Sequence, residues 1–301
     1  MRCIALLSFI VGACTSVLAA APPPTSNPPT GDPPTAPELR TLDVAVCLDD
    51  GVALLLGMQE SLAATEPEDG AEPTPPDEWP YQGVYRVRGE IPIGYRVGGT
   101  AICGAALLSA PGWEGDATRR EAVHRAAAFV CRQTEHPLMQ FPYPPSYDVR
   151  GWGYAYALDF LLRLEELGPL PESLAGAIPA AIDFYLRGLL ATELDSGGWN
   201  YALSPRRMQH APFMTAPVLQ SLFRAAARGR EVPAAVLERG LAALEASRLD
   251  SGAMVYSGTA ADRADSLPGA TGRMLTADAT LMLAGRGDAE RLRFAVESFF
   301  E

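Results

Sequence analysis

The sequence predicts an all-α protein whose helices come in tandem pairs, an outer helix around an inner one, in two concentric layers. Three observations predict it. A large apolar residue, one spacer and a tyrosine recur four times, at Trp79-Pro80-Tyr81, Phe141-Pro142-Tyr143, Trp199-Asn200-Tyr201 and Met254-Val255-Tyr256. The tyrosines stand 62, 58 and 55 residues apart, and self-similarity at such a period marks a stacked repeat. Each copy follows an amphipathic stretch and precedes, after a linker, an almost wholly apolar one, and no period-two strand pattern competes.

In chain order, residues 1–21 read as a signal peptide. Arg2 leads an uncharged run from Cys3 to Ala21, with Val17 and Ala19 suited to cleavage, a pattern that reads as an export signal and not as a membrane span. Val11-Gly12-Ala13-Cys14 is similar to the lipobox of bacterial lipoproteins, which would leave a lipid anchor on Cys14, although the apolar run continues past it. Either reading exports the chain, to the periplasm, the cell surface or the medium. Residues 22–37 hold eight prolines in sixteen positions and are expected to be a semi-stiff linker. The repeat domain is expected over 38–301, with 65–78, which carries six carboxylates, as a flexible acidic insert.

Outer helices are expected near 43–60, 117–133, 172–193 and 233–248, and inner helices near 97–110, 151–167, 211–228 and 273–285. In the third outer helix Ile178, Ile182, Tyr185, Leu186 and Leu189 form one stripe that Asp183 and Arg187 avoid. In the fourth, Leu237, Leu241 and Leu244 alternate with Glu238, Arg239 and Glu245. Inner helices lack a polar face: 100–110 has no charge and 152–162 has only Asp159, so they must be enclosed. Residues 289–300 align with the outer helices but have no aromatic turn or inner partner before Glu301. The expectation is an incomplete ring of about four and a half repeats with a truncated C-terminus; a terminal helix that closes the ring is the other reading.

Tandem outer helix, Gly-Trp-type turn and inner helix resemble the α/α-toroid superfamily of squalene-hopene-type triterpene cyclases and protein prenyltransferases. Glu193-Leu194-Asp195-Ser196-Gly197-Gly198-Trp199 is similar to the cyclases' QxxxGxW repeat, with Glu for Gln. Gln59 and Gln133 stand where other copies carry the Gln, but their turns lack GxW. The resemblance covers roughly 42–301 and implies an α/α toroid. Residues 79–86 and 91–100 are also similar to a run in exported bacterial members of this repeat group. The family's chemistry does not carry over. There is no DxDD acid, Asp49-Asp50 being the only Asp pair, no DDxxD for magnesium diphosphate, and no Asp, Cys and His set for zinc.

The formal charge of −12 argues against nucleic acid or an anionic membrane surface as a partner. All 24 basic residues are arginine, which excludes Schiff-base, general-base and P-loop lysines. Eight lie in the linkers before the inner helices: Arg86, Arg88, Arg96, Arg150, Arg206, Arg207, Arg263 and Arg273. These face only Glu90, Asp148, Asp262 and Asp265, a local balance of +4. In a toroid these linkers gather over inner-helix N-termini, which favour anions. Arg96, Arg150, Arg207 and Arg273 are therefore candidate ligand-binding residues, with Trp152 and Tyr95 among the nearby aromatics that also include Tyr147, Tyr154, Tyr156 and Phe213. The alternatives are solvated loop arginines and core aromatics.

Candidate proton-transfer groups are His210, Asp159, Asp278 and Tyr154. Asp159 sits in an apolar helix, where a carboxylate must be paired, hydrogen-bonded or raised in pKa. Asp278 could instead serve a helix end, and His210 stands near Arg206 and Arg207. Cys47, Cys103 and Cys131 read as buried thiols or as holding a Cys103–Cys131 disulfide. His124, His136 and His210 lack metal-ligand spacing, and no metal or cofactor is expected. Three classes fit: a binding or scaffold module, favoured by the missing motifs; a lyase-type enzyme on anionic polysaccharide; and a divergent isoprenoid cyclase or transferase. The expected ligand is an anionic or partly apolar small molecule or polysaccharide.

Overall fold

The computed structural model describes residues 43–60, 76–141, 149–201, 209–262 and 266–300. The signal peptide with Cys14, the Pro-rich linker, most of the acidic insert, Tyr143, Tyr147 and Arg207 lie outside the described residues. Those described are all-helical, without a strand. The helices are α1 (Val44–Gly57), α2 (Ile93–Ser109), α3 (Ala117–Arg132), α4 (Arg150–Glu166), a single turn α5 (Glu172–Ala175), α6 (Ala177–Ala191), α7 (Pro212–Ala227), α8 (Ala234–Ala246), α9 (Leu267–Leu283) and α10 (Ala289–Phe300).

Two inner helices begin earlier than their hydrophobic pattern predicts, α2 at 93 instead of 97 and α9 at 267 instead of 273. Pro92 stands at the N-cap of α2 and Pro268 lies in the first turn of α9, where the fixed φ of proline favours helix initiation and its missing N–H costs nothing. This places Arg96, Arg150 and Arg273 on helices and not in loops. Among the outer helices, Asp43 caps α1 by accepting from the Ala45 N–H at 3.0 Å, and Asp116 caps α3 from the Arg119 N–H at 2.9 Å.

Helices α2, α4, α7 and α9 pack in that order, each against the next, and they supply most of the fully buried side chains. Helices α2 and α4 approach closely and run parallel: Gly98 lies against the Trp152 ring and Gly104 against the Phe160 ring. A Cβ on Gly98 would overlap the indole, and one on Gly104 would sit 2.5 Å from the phenyl ring, so the contact depends on both glycines. Helix α3 covers α2, α6 covers α4, α8 covers α7 and α10 covers α9. The tightest antiparallel pairs thus close across the short inner-to-outer loops and not across the aromatic turns, as short helix connections favour. Helix α10, expected as half of an unfinished unit, is the partner of α9. It buries only Ala295, and Phe300 is 72% exposed. Helix α1 touches α2 lightly, buries no residue and exposes Val44, Val46 and Leu54, and its C-cap residue Met58 is exposed too.

Two of the aromatic turns share one set of hydrogen bonds. The Trp79 N–H donates to Thr100 Oγ1 at 2.9 Å and its indole N–H to the Leu55 carbonyl at 2.7 Å. The Trp199 N–H donates to Thr215 Oγ1 at 3.0 Å and its indole N–H to the Leu189 carbonyl at 2.8 Å. Leu55 and Leu189 are both two residues before the last residue of their helices, and each carbonyl also accepts from the backbone N–H of the C-cap residue, Met58 or Thr192, so each indole adds a second donor to a carbonyl of the last turn. Gly197 and Gly198, at φ of 82° and 74°, let the chain reverse so that the Trp199 ring folds inward.

The acidic insert ends earlier than expected. Asp77 and Glu78 are buried, because the Glu78 carboxylate takes a bidentate bond from Arg96 at 2.8 and 2.5 Å and Asp77 pairs with Arg132. The three described cysteines are free thiols; Cys47 is exposed, and burial pushes Cys103 and Cys131 up to about 12. Among the described residues one stretch, Glu172–Ala191, is long and apolar enough to cross a membrane, with a mean hydropathy of 1.4; 44% of that window is buried, as in a core helix.

Candidate functional site

Aromatic rings gather over the N-terminal ends of the inner helices. Tyr95 lies in the first turn of α2, Trp152 in that of α4 and Phe213 in that of α7. Tyr81, from the first turn, stacks on Trp152 with centroids 5.9 Å apart and planes at 24°. Tyr95 stands edge-on to Tyr81, Tyr85 and Trp152 at 5.9, 5.8 and 5.4 Å, and Trp152 meets Tyr156 at 5.1 Å. A small apolar cluster of Ile91, Tyr95 and Val149 joins Trp152 to Tyr201. Tyr201 then packs on Phe213 at 5.1 Å, Phe213 on Tyr256 at 4.9 Å, and Arg273 lies over the Tyr256 ring at 5.6 Å. The result is one belt from Tyr85 to Arg273. Tyr81, Tyr85 and Tyr256 are 36%, 53% and 48% exposed, while Trp152, Tyr201 and Phe213 are half-buried beneath them.

The sequence pointed to Tyr95 and Trp152 as ligand-binding residues, and both lie in this belt. It did not point to Tyr81, Tyr85, Tyr201 and Tyr256 for this role. The signal was available in the repeat itself, since a tyrosine at a fixed place before each inner helix must return to the same end of the array. Tyr143 lies outside the described residues.

The arginines do different work. Arg96 holds Glu78, Arg150 donates to the Gln140 carbonyl at 2.8 Å, and Arg273 donates through Nε and Nη2 to the Met254 carbonyl at 3.2 and 3.1 Å. Glu78, Gln140 and Met254 all stand just before a turn tyrosine. In three turns an inner-helix arginine therefore clamps the segment that leads into the turn, an arrangement suited to a donor with several N–H groups. Arg96 is half-buried and its pKa is nonetheless raised, burial opposing the Glu78 hydrogen bond and charge that win.

The proton-transfer candidates are dispersed and engaged in structural contacts. His210 is 4% exposed, with Nε2 3.0 Å from Ser247 Oγ, whose hydroxyl lies 2.9 Å from the Ala243 carbonyl and 3.0 Å from that of Gly258. Burial lowers the His210 pKa and keeps the ring neutral, so it joins the start of α7 to the end of α8 and does not stand at an open mouth. Asp278 is buried and held by both Nη atoms of Arg248, which ties α9 to the end of α8. Asp159 accepts from Arg163 at 2.6 Å and from Arg224 at 3.0 Å, bridging α4 and α7; of the three ways it could be tolerated, it is paired. Tyr154 is fully buried and donates to the Met139 carbonyl.

Two cavities of about 360 and 490 Å³ flank α6 and share Arg187, the larger reaching Cys131 and Phe184; neither is lined by the belt, by Arg96, Arg150 and Arg273, or by the four proton-transfer candidates. Among the described residues no group of three or more His, Cys, Asp or Glu side chains could hold a metal ion. Comparison with family models, curated proteins and solved structures finds no match for this chain.

Proposed function

We propose that this chain is an exported binding or scaffold module, an α/α toroid related to the triterpene cyclases and prenyltransferases but without their acid, diphosphate and zinc motifs, and that it takes its ligand on the aromatic belt. The observation that carries the reading is the belt. Exposed tyrosine faces next to half-buried rings supply a wide apolar surface with polar tips, the chemistry of an extended ligand that stacks. The run of inner helices, each paired with an outer one, and the matching hydrogen bonds at Trp79 and Trp199 support the toroid. Residues 1–21 support export. Reading His210, Asp159, Asp278 and Tyr154 as structural takes the four proton-transfer candidates out of consideration at the belt, which favours binding over lyase or isoprenoid chemistry.

The test titrates neutral and uronate oligosaccharides, a short prenyl alcohol and a polyproline peptide against the protein, following the fluorescence of Trp152. One class should bind saturably, and Tyr81→Ala or Tyr256→Ala should weaken it about tenfold, the loss expected from one or two stacked rings. Unchanged binding in both variants would overturn the belt as the site. Turnover of a uronate substrate that disappears in His210→Ala, with the melting temperature kept, would overturn the binding-module reading in favour of a lyase.

A further inference from the structure

Resting on that reading, we infer that the belt's ligand is proline-rich chain in the extended polyproline conformation, and that its resident occupant is residues 22–37 of this same protein. That segment carries Pro23-Pro24-Thr25, Pro28-Pro29-Thr30 and Pro33-Pro34-Thr35, three copies of one tripeptide at a period of five. Nothing in the helical domain needs such regularity in a tether. A proline doublet presents its pyrrolidine rings on a backbone whose φ is already fixed, so docking it sacrifices little conformational freedom. The surface that recognises such chains is a row of aromatic rings with steps between them. The belt supplies it, with Tyr95 edge-on to both Tyr81 and Trp152 and Phe213 tilted between Tyr201 and Tyr256.

The lengths agree. Doublets five residues apart recur about every 15 Å at the polyproline rise of roughly 3.1 Å, so three copies cover about 31 Å. Four inner helices side by side, at roughly 8–10 Å between axes, cover about 24–30 Å. The reach also suffices. The indole of Trp79, two residues before Tyr81 of the belt, bonds the carbonyl of Leu55, so the C-terminal end of α1 lies beside that turn and its N-terminal end lies the length of the helix away. Fourteen residues make that length about 21 Å, and the nine residues from Pro34 to Asp43 can span at most roughly 30 Å, so the nearest proline doublet can reach back past α1 to the rim. Charge points the same way: Asp32 is the one charged residue of 22–37, and Arg273 covers Tyr256 at one end of the belt while exposed Arg86 and Arg88 flank Tyr85 at the other.

The experiment measures nitration of Tyr85 and Tyr256 by tetranitromethane, read site by site by mass spectrometry. It compares the full chain with a variant in which Pro23, Pro24, Pro28, Pro29, Pro33 and Pro34 are serine. A tethered ligand of roughly 0.1 mM affinity faces an effective concentration near 1 mM, so both tyrosines should react about tenfold more slowly in the unaltered chain, independently of protein concentration. A synthetic peptide of residues 22–37 should restore protection to the serine variant, and its serine counterpart should not. Equal reactivity in the two chains, or protection that appears only as protein concentration rises, overturns the intramolecular assignment. If the peptide gives no protection but a soluble oligosaccharide does, the inference fails while the belt stands as a glycan platform. If neither protects, the binding reading fails with it. The variant Tyr256→Ala should lose peptide binding with its melting temperature unchanged, since that ring is half exposed.

Discussion

At the scale of single residues, polar groups that looked available in the sequence are held in the fold by partners that spacing mostly does not reveal, the i,i+4 pair of Asp159 with Arg163 being an exception. Asp159, Asp278 and His210 were legible as unusual, because each stands at or beside an apolar helix; their partners Arg224, Arg248 and Ser247 are 65, 30 and 37 residues away and become visible only in three dimensions. His210 gives a pH dependence with a definite sign. Burial lowers its folded pKa below the usual 6.5, so between the two values the unfolded chain binds more protons. Its contribution is fully present above the unfolded value and is lost as pH falls below it. His124 and His136 shift the same way. The melting temperature should therefore drop between about pH 7.5 and 5.5, and His210→Asn should flatten that drop more than His124→Gln or His136→Gln does. A slope that His210→Asn leaves intact would place the titration elsewhere. The Arg248–Asp278 pair makes a second case. Removing one partner leaves a buried charge, so Arg248→Met should cost about 3–5 kcal/mol in urea unfolding, and the double change to Met and Leu should recover much of it.

At the scale of elements, helix identity was legible and helix pairing was not. Period 3.6 in Ile178, Ile182, Leu186 and Leu189 locates α6, and the charge-free run after Thr100 locates the interior of α2. Boundaries slipped where proline starts a helix, because an apolar-run criterion ignores the first turn. The pairing slipped because the aromatic turns were the conspicuous feature, whereas the short loops after the inner helices set which helices pack tightly. The turns instead contribute their own hydrogen bonds. Trp199 is 1% exposed and its backbone N–H ends on a fully buried threonine hydroxyl. Thr215→Val keeps the volume and leaves that N–H unpaired, so it should cost about 1–3 kcal/mol. Trp199→Ala removes the ring and the carbonyl cap together and should cost about 3–5 kcal/mol. Chemical unfolding measures both; a Thr215→Val protein as stable as the parent would mean that the shared bond pattern at Trp79 and Trp199 contributes nothing.

At the scale of the whole molecule, burial is graded along the array of helices, and that gradient predicts how the protein opens. Helices α2 and α4, packed on each other, have eleven buried residues each, and α7, between α4 and α9, has nine. At the two ends, α1 has none and α10 has one. In an array where each helix contacts mainly its neighbours, local stability is the sum of neighbouring interfaces, so ends open before the middle. Native-state hydrogen exchange should therefore show α1 and α10 exchanging fastest, α3 and α8 next, and α2, α4 and α7 near the global unfolding free energy. The indole bond from Trp79 to Leu55 is the main polar tie on α1, so Trp79→Phe should accelerate exchange across α1 while leaving α7 unchanged. Uniform protection from Val44 to Phe300 would mean that the helices form one cooperative body and that the weak contacts of α1 understate its attachment. The gradient also bears on the belt, which lies mostly over α2, α4 and α7. A ligand held there would protect the middle of the array, leave α10 fraying, and slow α1 only where the proline segment lies along it.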